Sequence, residues 1–280
     1  MLVSSGFDAA LMAVLGLCVG SFLNVVIYRL PLMLQAQWQT DCDALSGKSA
    51  APGEPFNLSV PRSRCPKCGH LIAWHENIPL LSYIFLRGKC SACATPIPLR
   101  YAVVEVATAL MFLYCAVQWG ISPTALAWSS FCACLLALAL IDWDSTLLPD
   151  DLTLPLLWAG LLAAVLHWTP VALADAVWGA AAGYTSLWLV YWVFKLFTGK
   201  EGMGYGDFKL FAALGAWFGW QALIPMILMA SALGAVVGIG LKLKQGEGPG
   251  GQIPFGPFLA IAGLTALLVG PSAMLRAVGL

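Results

Sequence analysis

Two groups of residues in this 280-residue chain have the types and spacing to do chemistry. The first is a pair of acidic motifs set in apolar sequence. One is Leu140-Ile141-Asp142-Trp143-Asp144, followed by Leu147-Leu148-Pro149-Asp150-Asp151; the other is Gly204-Tyr205-Gly206-Asp207-Phe208-Lys209. Two facing carboxylates can hydrolyse a peptide bond. The ionised one takes a proton from an attacking water, and the protonated one hydrogen-bonds the carbonyl oxygen as charge develops there. Like charges at short range cannot both ionise, so such a pair shares a proton. Asp142 and Asp207 are the candidate pair. Gly204 and Gly206 are expected to support the second motif by permitting positive φ and leaving room for a substrate backbone, with Lys209 beside them. The plainer reading makes Asp142, Asp144, Asp150 and Asp151 interfacial loop charges and Asp207 a helix N-terminal acid. It is the favoured one for Asp144 and Asp151, while Asp150 stays open.

The second group is Cys65-Pro66-Lys67-Cys68 and Cys90-Ser91-Ala92-Cys93, separated by 21 residues. Two C-x-x-C knuckles at this spacing can place four thiolates around one tetrahedral Zn²⁺. Four sulfurs close the shell, which marks a structural rather than a catalytic metal. A redox pair or incidental thiols are the competing readings. His70 and His75 lie nearby, but with four cysteines present they read as polar surface or supporting groups. His75-Glu76 begins like a zinc-peptidase H-E-x-x-H, yet Pro79 stands where the second histidine is needed. Cys18, Cys42, Cys115, Cys132 and Cys134 read as packing residues or an exposed thiol.

These groups must be positioned by membrane helices. The chain is 60% hydrophobic and 10% charged, with fourteen Lys+Arg balancing fourteen Asp+Glu. That composition excludes an ordinary soluble globule and a nucleic-acid binder. Stretches near the length of about 20 apolar residues needed to cross a bilayer run approximately 8–30, 100–119, 124–142, 152–168, 173–196, 208–220, 221–241 and 255–275. The expected fold is therefore all-α, a polytopic membrane protein of about eight transmembrane helices with a small zinc-bound cytoplasmic insert. Within 208–241, Trp217–Gln221 is either a tight turn or part of one kinked helix. Small-xxx-small pairs at Gly16/Gly20, Gly179/Gly183 and Gly234/Gly238 could bring helix backbones together. The organisation reads as a first span in 1–30, a cytoplasmic loop with the four-cysteine site in 31–100, and a helical bundle in 101–280. Residues 31–60 read as a flexible polar lead-in.

Eight of the fourteen basic residues lie between Arg29 and Arg100, which puts that segment in the cytoplasm. Threading the spans from there puts the 142–151, 196–207 and 242–254 connections on the same side. Lys195, Lys200, Lys209, Lys242 and Lys244 fall near them, leaving Arg276 on the far side. Both acid motifs then lie at one membrane margin. Glu105, inside the second span, is a further acid at membrane depth and so a functional candidate, though pairing or snorkelling explains it equally well. Asn24 reads as an interhelical hydrogen-bonder.

With these residues in view, the chain resembles the bacterial type IV prepilin peptidases, bifunctional leader peptidases and N-methyltransferases of the GxGD aspartic type. The resemblance runs through Gly20–Val25 with Arg29 and Pro31, Phe56-Asn57-Leu58, and the cysteine pairs enclosing Asn77-Ile78-Pro79 and Ser82-Tyr83. It continues through Arg100-Tyr101 with Glu105, Ile141-Asp142 with Leu148-Pro149-Asp150, the motif at 204–207, and Ile253–Pro257. It implies that Asp142 and Asp207 are catalytic and that Asp150 is supportive. It also implies an inner-membrane enzyme that cleaves prepilins and pseudopilins of type IV pilus and type II secretion systems after a Gly at the cytoplasmic face. The new N-terminal residue, usually Phe, would then be methylated from S-adenosylmethionine, an activity associated in the family with the cysteine segment. No S-adenosylmethionine contact is readable: the glycines at 199–206 do not fit G-x-G-x-x-G. The remaining alternative, a membrane scaffold or transporter with a zinc knuckle, leaves the two aspartates unexplained.

Overall fold

The computed structural model describes residues 6–47, 55–245 and 253–277. Residues 48–54 of the polar lead-in and 246–252 of the last connection lie outside these. Among the described residues the chain is helical, and its extended pairing is confined to two isolated bridges, Arg64 with Leu71 and Lys89 with Pro96. The helices are α1 (Gly6–Leu45), α2 (Leu81–Phe85), α3 (Arg100–Trp119), α4 (Pro123–Ser145), α5 (Asp150–Val165), α6 (Leu173–Thr198), α7 (Tyr205–Phe218), α8 (Leu223–Gln245), α9 (Gly256–Val269) and α10 (Pro271–Ala277). Seven of the eight expected spans each fall largely on one helix; the eighth, 255–275, is broken at Gly270, whose φ is +82°, into α9 and α10. Among the described residues, four stretches are long and apolar enough to cross a membrane on their own account: Gly6–Leu45, Arg100–Trp119, Pro123–Ser145 and Trp220–Leu241. The chain is an all-α polytopic membrane protein. Side chains such as Leu189, Val190, Val193 and Phe197 of α6 are exposed, as suits a helix whose outer solvent is lipid rather than water.

One other boundary differs from the sequence reading, and one alternative left open there is decided. Helix α1 continues through Pro31 to Leu45, well beyond the 8–30 span and into the segment read as a flexible lead-in. Residues 32–45 are mostly Leu, Met, Gln and Ala, good helix formers with no glycine. The helix ends where Gly47 turns to φ +70°. In the 208–241 stretch, the tight-turn reading is the observed one. Gly219 at φ +79° donates its N–H to the Gly215 carbonyl and closes α7, and a 3-10 turn at Trp220–Ala222 leads into α8.

The chain forms two compact units, Met1–Ser129 and Ser130–Leu280. In the first, α1 packs on α3 through Gly16 and Gly20: a Cβ on either would come within 2.7 Å of a backbone Cα, of Ala109 and Glu105 respectively. Asn24 Nδ2 donates to the Tyr101 carbonyl at 3.1 Å, linking the same two helices. Trp119 stacks on Trp128 with centroids 6.0 Å apart.

In the second unit α7 is the centre. Phe208 and every residue from Leu210 to Trp217 are buried, the pattern of a helix enclosed on all sides. Gly179 of α6 and Gly215 of α7 face each other so closely that a Cβ on either would overlap the other's carbonyl, and Gly183 sits against the backbone of Phe211 and Ala212. On the opposite flank, Trp217 lies against Gly160 of α5 and donates Nε1–H to the Leu156 carbonyl at 2.9 Å. Of the three small-xxx-small pairs, Gly234/Gly238 alone meets side chains (Phe258 and Ile253) rather than backbone.

This packing yields opposite expectations for two glycines. Gly215→Ala should destabilise the detergent-solubilised protein by about 1–3 kcal/mol through overpacking. Gly240→Ala, with open space around its Cβ, should be neutral or slightly stabilising, by up to about 1 kcal/mol of helix propensity. Thermal unfolding of both variants checks the pair, and equal shifts would contradict it.

Candidate active site and metal centre

The acid site is built from the starts and ends of four helices in the second unit. Asp142, on the last turns of α4, is 4% exposed. Its Oδ2 accepts the Gly256 N–H at 2.9 Å, so it engages a free amide at the N-terminus of α9, where unpaired N–H groups and the helix dipole favour a carboxylate. Asp207, in the first turn of α7, is 6% exposed, and its Oδ2 accepts the Gly204 N–H at 3.1 Å. The other Asp207 oxygen, Oδ1, is buried with no hydrogen-bond partner among the described residues. The two carboxyl groups lie close enough for the charge of Asp142 to act on Asp207.

Between them runs the α4–α5 loop. Leu148 of that loop is the residue a Cβ at Gly206 would strike, at 2.5 Å from Leu148 Cβ. A Cβ at Gly256 would meet Asp142 Oδ2 at 2.6 Å and Leu148 Cδ1 at 3.2 Å. One leucine thus packs against both glycine-lined helix starts. At the far end of the loop, Lys209 Nζ donates to both oxygens of Asp150, at 2.6 and 2.7 Å, tying the start of α5 to the first turn of α7. Asp151 and Asp144 point outward and are exposed.

The glycine expectation needs correcting. Neither Gly204 nor Gly206 has a positive φ; Gly204 is extended, at φ −84°, with nothing closer to its Cβ position than 3.8 Å. Gly206 is needed for space beside Leu148, and Gly204 for the amide it turns toward Asp207. The sequence reading gave no role to Gly256 or Leu148. The Gly256-Pro257 step at a helix start was the available signal for the first; Leu148 stood in the Leu148-Pro149-Asp150 motif with no role attached to it.

In the first unit, Cys65, Cys68, Cys90 and Cys93 converge with their sulfurs all within 4.8 Å of one another. The Cys65–Cys93 and Cys68–Cys90 sulfur separations are 3.8 and 4.0 Å. Four sulfurs at about 2.3 Å from a tetrahedral Zn²⁺ would stand about 3.8 Å apart, so the cluster has the dimensions of a zinc site. The two knuckles share one construction. Cys65 N–H donates to His70 O and Gly69 N–H to Cys65 O, and Cys90 N–H donates to Thr95 O and Ala94 N–H to Cys90 O. The residue after each second cysteine is left-handed, Gly69 at φ +72° and Ala94 at φ +54°. The amides of Cys68 and Lys67 pull the Cys65 thiol below its ordinary pKa, and the Thr95 hydroxyl and amide hold Cys93 at about 6. Those two effects favour thiolates, whereas Cys68, despite the lowering pull of the His70 amide, is pushed up to about 11 by burial and the neighbouring sulfurs.

His70 and His75 are outside the sulfur cluster. His70 Nε2 lies 3.1 Å from Glu76 Oε2 and 3.3 Å from Ser91 Oγ, joining the two knuckles. Glu76 also accepts the Ala73 N–H at 2.8 Å. The Ser91 hydroxyl, that amide and His70 together hold its carboxyl near a pKa of about 2. Glu105 of α3 is buried and accepts the Leu80 N–H at 2.7 Å, fixing a loop residue whose φ is +59°. That is a structural duty for an acid first read as a functional candidate. Arg29, which received no role, donates to the carbonyls of Asn57 and Pro61 at 2.8 and 2.6 Å. It thereby clamps the segment leading into the first knuckle onto α1.

With this geometry in hand, comparison with known proteins is specific. Residues 14–119 match the bacterial peptidase A24 N-terminal domain and residues 129–239 the type IV leader peptidase family. A prepilin leader peptidase/N-methyltransferase of Pseudomonas putida is 53% identical over 261 residues, covering 93% of this chain and 90% of that protein. The protein of the same name from Aeromonas hydrophila is 53% identical over 270 residues, covering 94% and 91%. The one from Pseudomonas aeruginosa is 54% identical over 259 residues, covering 91% and 88%. No solved structure matches the chain. Matched along nearly its whole length, this chain belongs to the type IV leader peptidase family.

Proposed function

We propose that this protein is a membrane aspartyl endopeptidase and N-methyltransferase acting on prepilins and pseudopilins of type IV pilus and type II secretion systems. Asp142 and Asp207 are its catalytic pair. The observation that carries this reading is the unpartnered, buried Asp207 Oδ1, beside a second carboxyl group within charge range. A purely structural acid in such surroundings would have both oxygens satisfied.

Each aspartate is held by one oxygen on a backbone amide, which leaves its second oxygen for the reaction. The ionised carboxylate removes a proton from water as the water oxygen bonds to the scissile carbonyl carbon. The protonated partner gives its proton to the carbonyl oxygen. When the tetrahedral adduct collapses, the C–N bond breaks and the departing nitrogen takes the first proton, while one hydroxyl of the adduct returns a proton to the second aspartate as the C=O re-forms, giving a carboxylic acid, a free amine and the starting pair. The basic leader of a prepilin would emerge at the membrane face where the Lys and Arg count puts both acid motifs, the cytoplasmic side of the inner membrane. The cut there falls after a Gly. The exposed amine, usually of Phe, then accepts a methyl group and loses a proton. S-adenosylmethionine would supply that methyl as an electrophile. Cys65, Cys68, Cys90 and Cys93 hold one structural Zn²⁺, which substitutes for the core that so small a polar segment lacks.

In detergent with a prepilin substrate, Asp142→Asn and Asp207→Asn should each lower cleavage by about 10²–10⁴-fold with melting temperature maintained. Cleavage near the parent rate by either variant defeats the assignment. Metal analysis should find one zinc per chain, absent from Cys65→Ser and from Cys90→Ser; a metal-free parent or zinc-replete variants would reject the tetrathiolate site. The Lys209–Asp150 pair is partly solvent-exposed and so worth at most about 1 kcal/mol. Lys209→Met should therefore slow cleavage by less than about tenfold. A loss as complete as that of Asp207→Asn would mean that Lys209 takes part in the chemistry.

A further inference from the structure

The segment between α1 and α3 is polar in composition, yet its contacts with those two helices fix how deep each part of it lies. The helices run antiparallel, with Gly16 against Ala109, Gly20 against Glu105, and Asn24 Nδ2 on the Tyr101 carbonyl. Arg29, which holds the Asn57 and Pro61 carbonyls, therefore stands nine residues beyond the Gly20–Glu105 level, about 14 Å along α1. The chain is back at the Glu105 level by Leu80, whose N–H donates to Glu105 Oε2 at 2.7 Å. Helix α2 starts at the next residue.

That level is inside the membrane. Helix α3 has 20 residues, a length of about 30 Å, so all of it is needed to cross the hydrocarbon core. Glu105 lies five residues in from Arg100, about 7–8 Å, and its side chain leans back toward the start of the helix. Val103 and Val106, on either side of it in sequence, are exposed, as lipid-facing residues of a spanning helix are. Acyl chains thus already border α3 at the depth where α2 begins.

The outward face of α2 suits such a neighbour. Leu81, Ile84 and Phe85, spaced i, i+3 and i+4, share one side of the helix and are 52%, 60% and 81% exposed. The side chains between them are used internally. Ser82 Oγ donates to the Ile78 carbonyl at 2.8 Å, and Tyr83 Oη donates to the Ile97 carbonyl at 3.3 Å with its ring against Gly88. These bonds and the Glu105 contact fix which side of α2 faces out. Arg87 and Lys89, both exposed, follow directly, with stems long enough to lift their charges toward lipid phosphates.

We propose that α2 lies in the membrane interface, with Leu81, Ile84 and Phe85 among phospholipid acyl chains and Arg87 and Lys89 at anionic headgroups. Amphipathic interfacial helices bury their apolar side about 5–10 Å past the headgroup boundary, the depth at which Glu105 holds Leu80. The cysteine segment is then fastened to the bilayer surface at two levels, by Arg29 above and by α2 below. Glu105 sets the lower one.

The test uses the full-length protein in nanodiscs of phosphatidylethanolamine and phosphatidylglycerol. The photoreactive residue p-benzoyl-phenylalanine replaces Ile84, Phe85 or, as the water-facing control, Leu45 at the end of α1. On illumination, phospholipid adducts at 84 and 85 should exceed those at 45 by about tenfold, as the preference of one large apolar side chain for lipid over water implies. In a second arm, Ile84→Ser combined with Phe85→Ser should speed trypsin cleavage after Arg87 and Lys89 by about tenfold or more, with cleavage after Arg62 and the melting temperature as in the parent. Adducts at 84 and 85 no more frequent than at 45 overturn the proposal, whatever the serine variant does. So do unchanged trypsin rates in a serine variant that melts with the parent. Adducts that map to a second copy of this chain, or to an added prepilin in place of lipid, make the face a protein-docking surface, and the proposal fails.

Discussion

Two carboxyl groups lie buried among apolar helices, and each is anchored through one oxygen by a single backbone amide. A buried acid without a hydrogen bond is costly, and the cheapest donors inside a helical membrane protein are the free N–H groups at helix starts. Asp142 uses the start of α9 and Asp207 the start of α7. That solution imposes glycine at 256, where a Cβ would collide with the Asp142 carboxylate. It also imposes a close approach of the α4–α5 loop, whose Leu148 fills the space beside Gly206 and Gly256. Proline before and glycine within these segments follow from the same demand for tight backbone approach.

Holding an acid by its backbone works only if the backbone cannot drift, and the second unit is packed accordingly. The α6–α7 contact through Gly179 and Gly215 brings main chain against main chain, where a shift meets rigid backbone rather than a side chain that can change rotamer. Trp217 pins the other flank of α7 by both its ring and its indole N–H. The first unit achieves rigidity differently. Its polar segment has almost no buried apolar residues between 55 and 99, so cysteine sulfurs, the Glu76–His70–Ser91 contacts and the Arg29 clamp stand in for a core.

Much of this was legible in sequence because it rests on local pattern. Apolar run length located the long helices, and C-x-x-C spacing located the four-cysteine cluster. What escaped depends on partners far away in the chain. Pro31 and the polar residues after it suggested an end to α1, yet local helix propensity carried the helix on to Leu45. Gly204 and Gly206 were expected to serve through positive φ, and instead one supplies an amide and the other makes room for Leu148, facts that only the folded α4–α5 loop defines. Arg29 looked like a topology signal for the positive-inside rule; that its guanidinium reaches Asn57 and Pro61 could not be read from charge counting. Glu105 shows the same limit, since the amide it accepts belongs to a loop 25 residues before it.

The division into two units bears on how one protein can run two reactions with conflicting needs. Peptide hydrolysis wants a carboxylate pair, a strong local attraction for cations, whereas the methyl donor carries a cationic sulfonium next to an anionic carboxylate. A donor bound at the acid pair would leave its carboxylate facing two others, an arrangement that like-charge repulsion disfavours most where water is scarce. The sulfur cluster lies in the other unit and the acid pair needs only helix-start amides, so the two centres share no residue, and no cysteine contributes to the dyad's hydrogen bonds. Each can therefore be disturbed without dismantling the other.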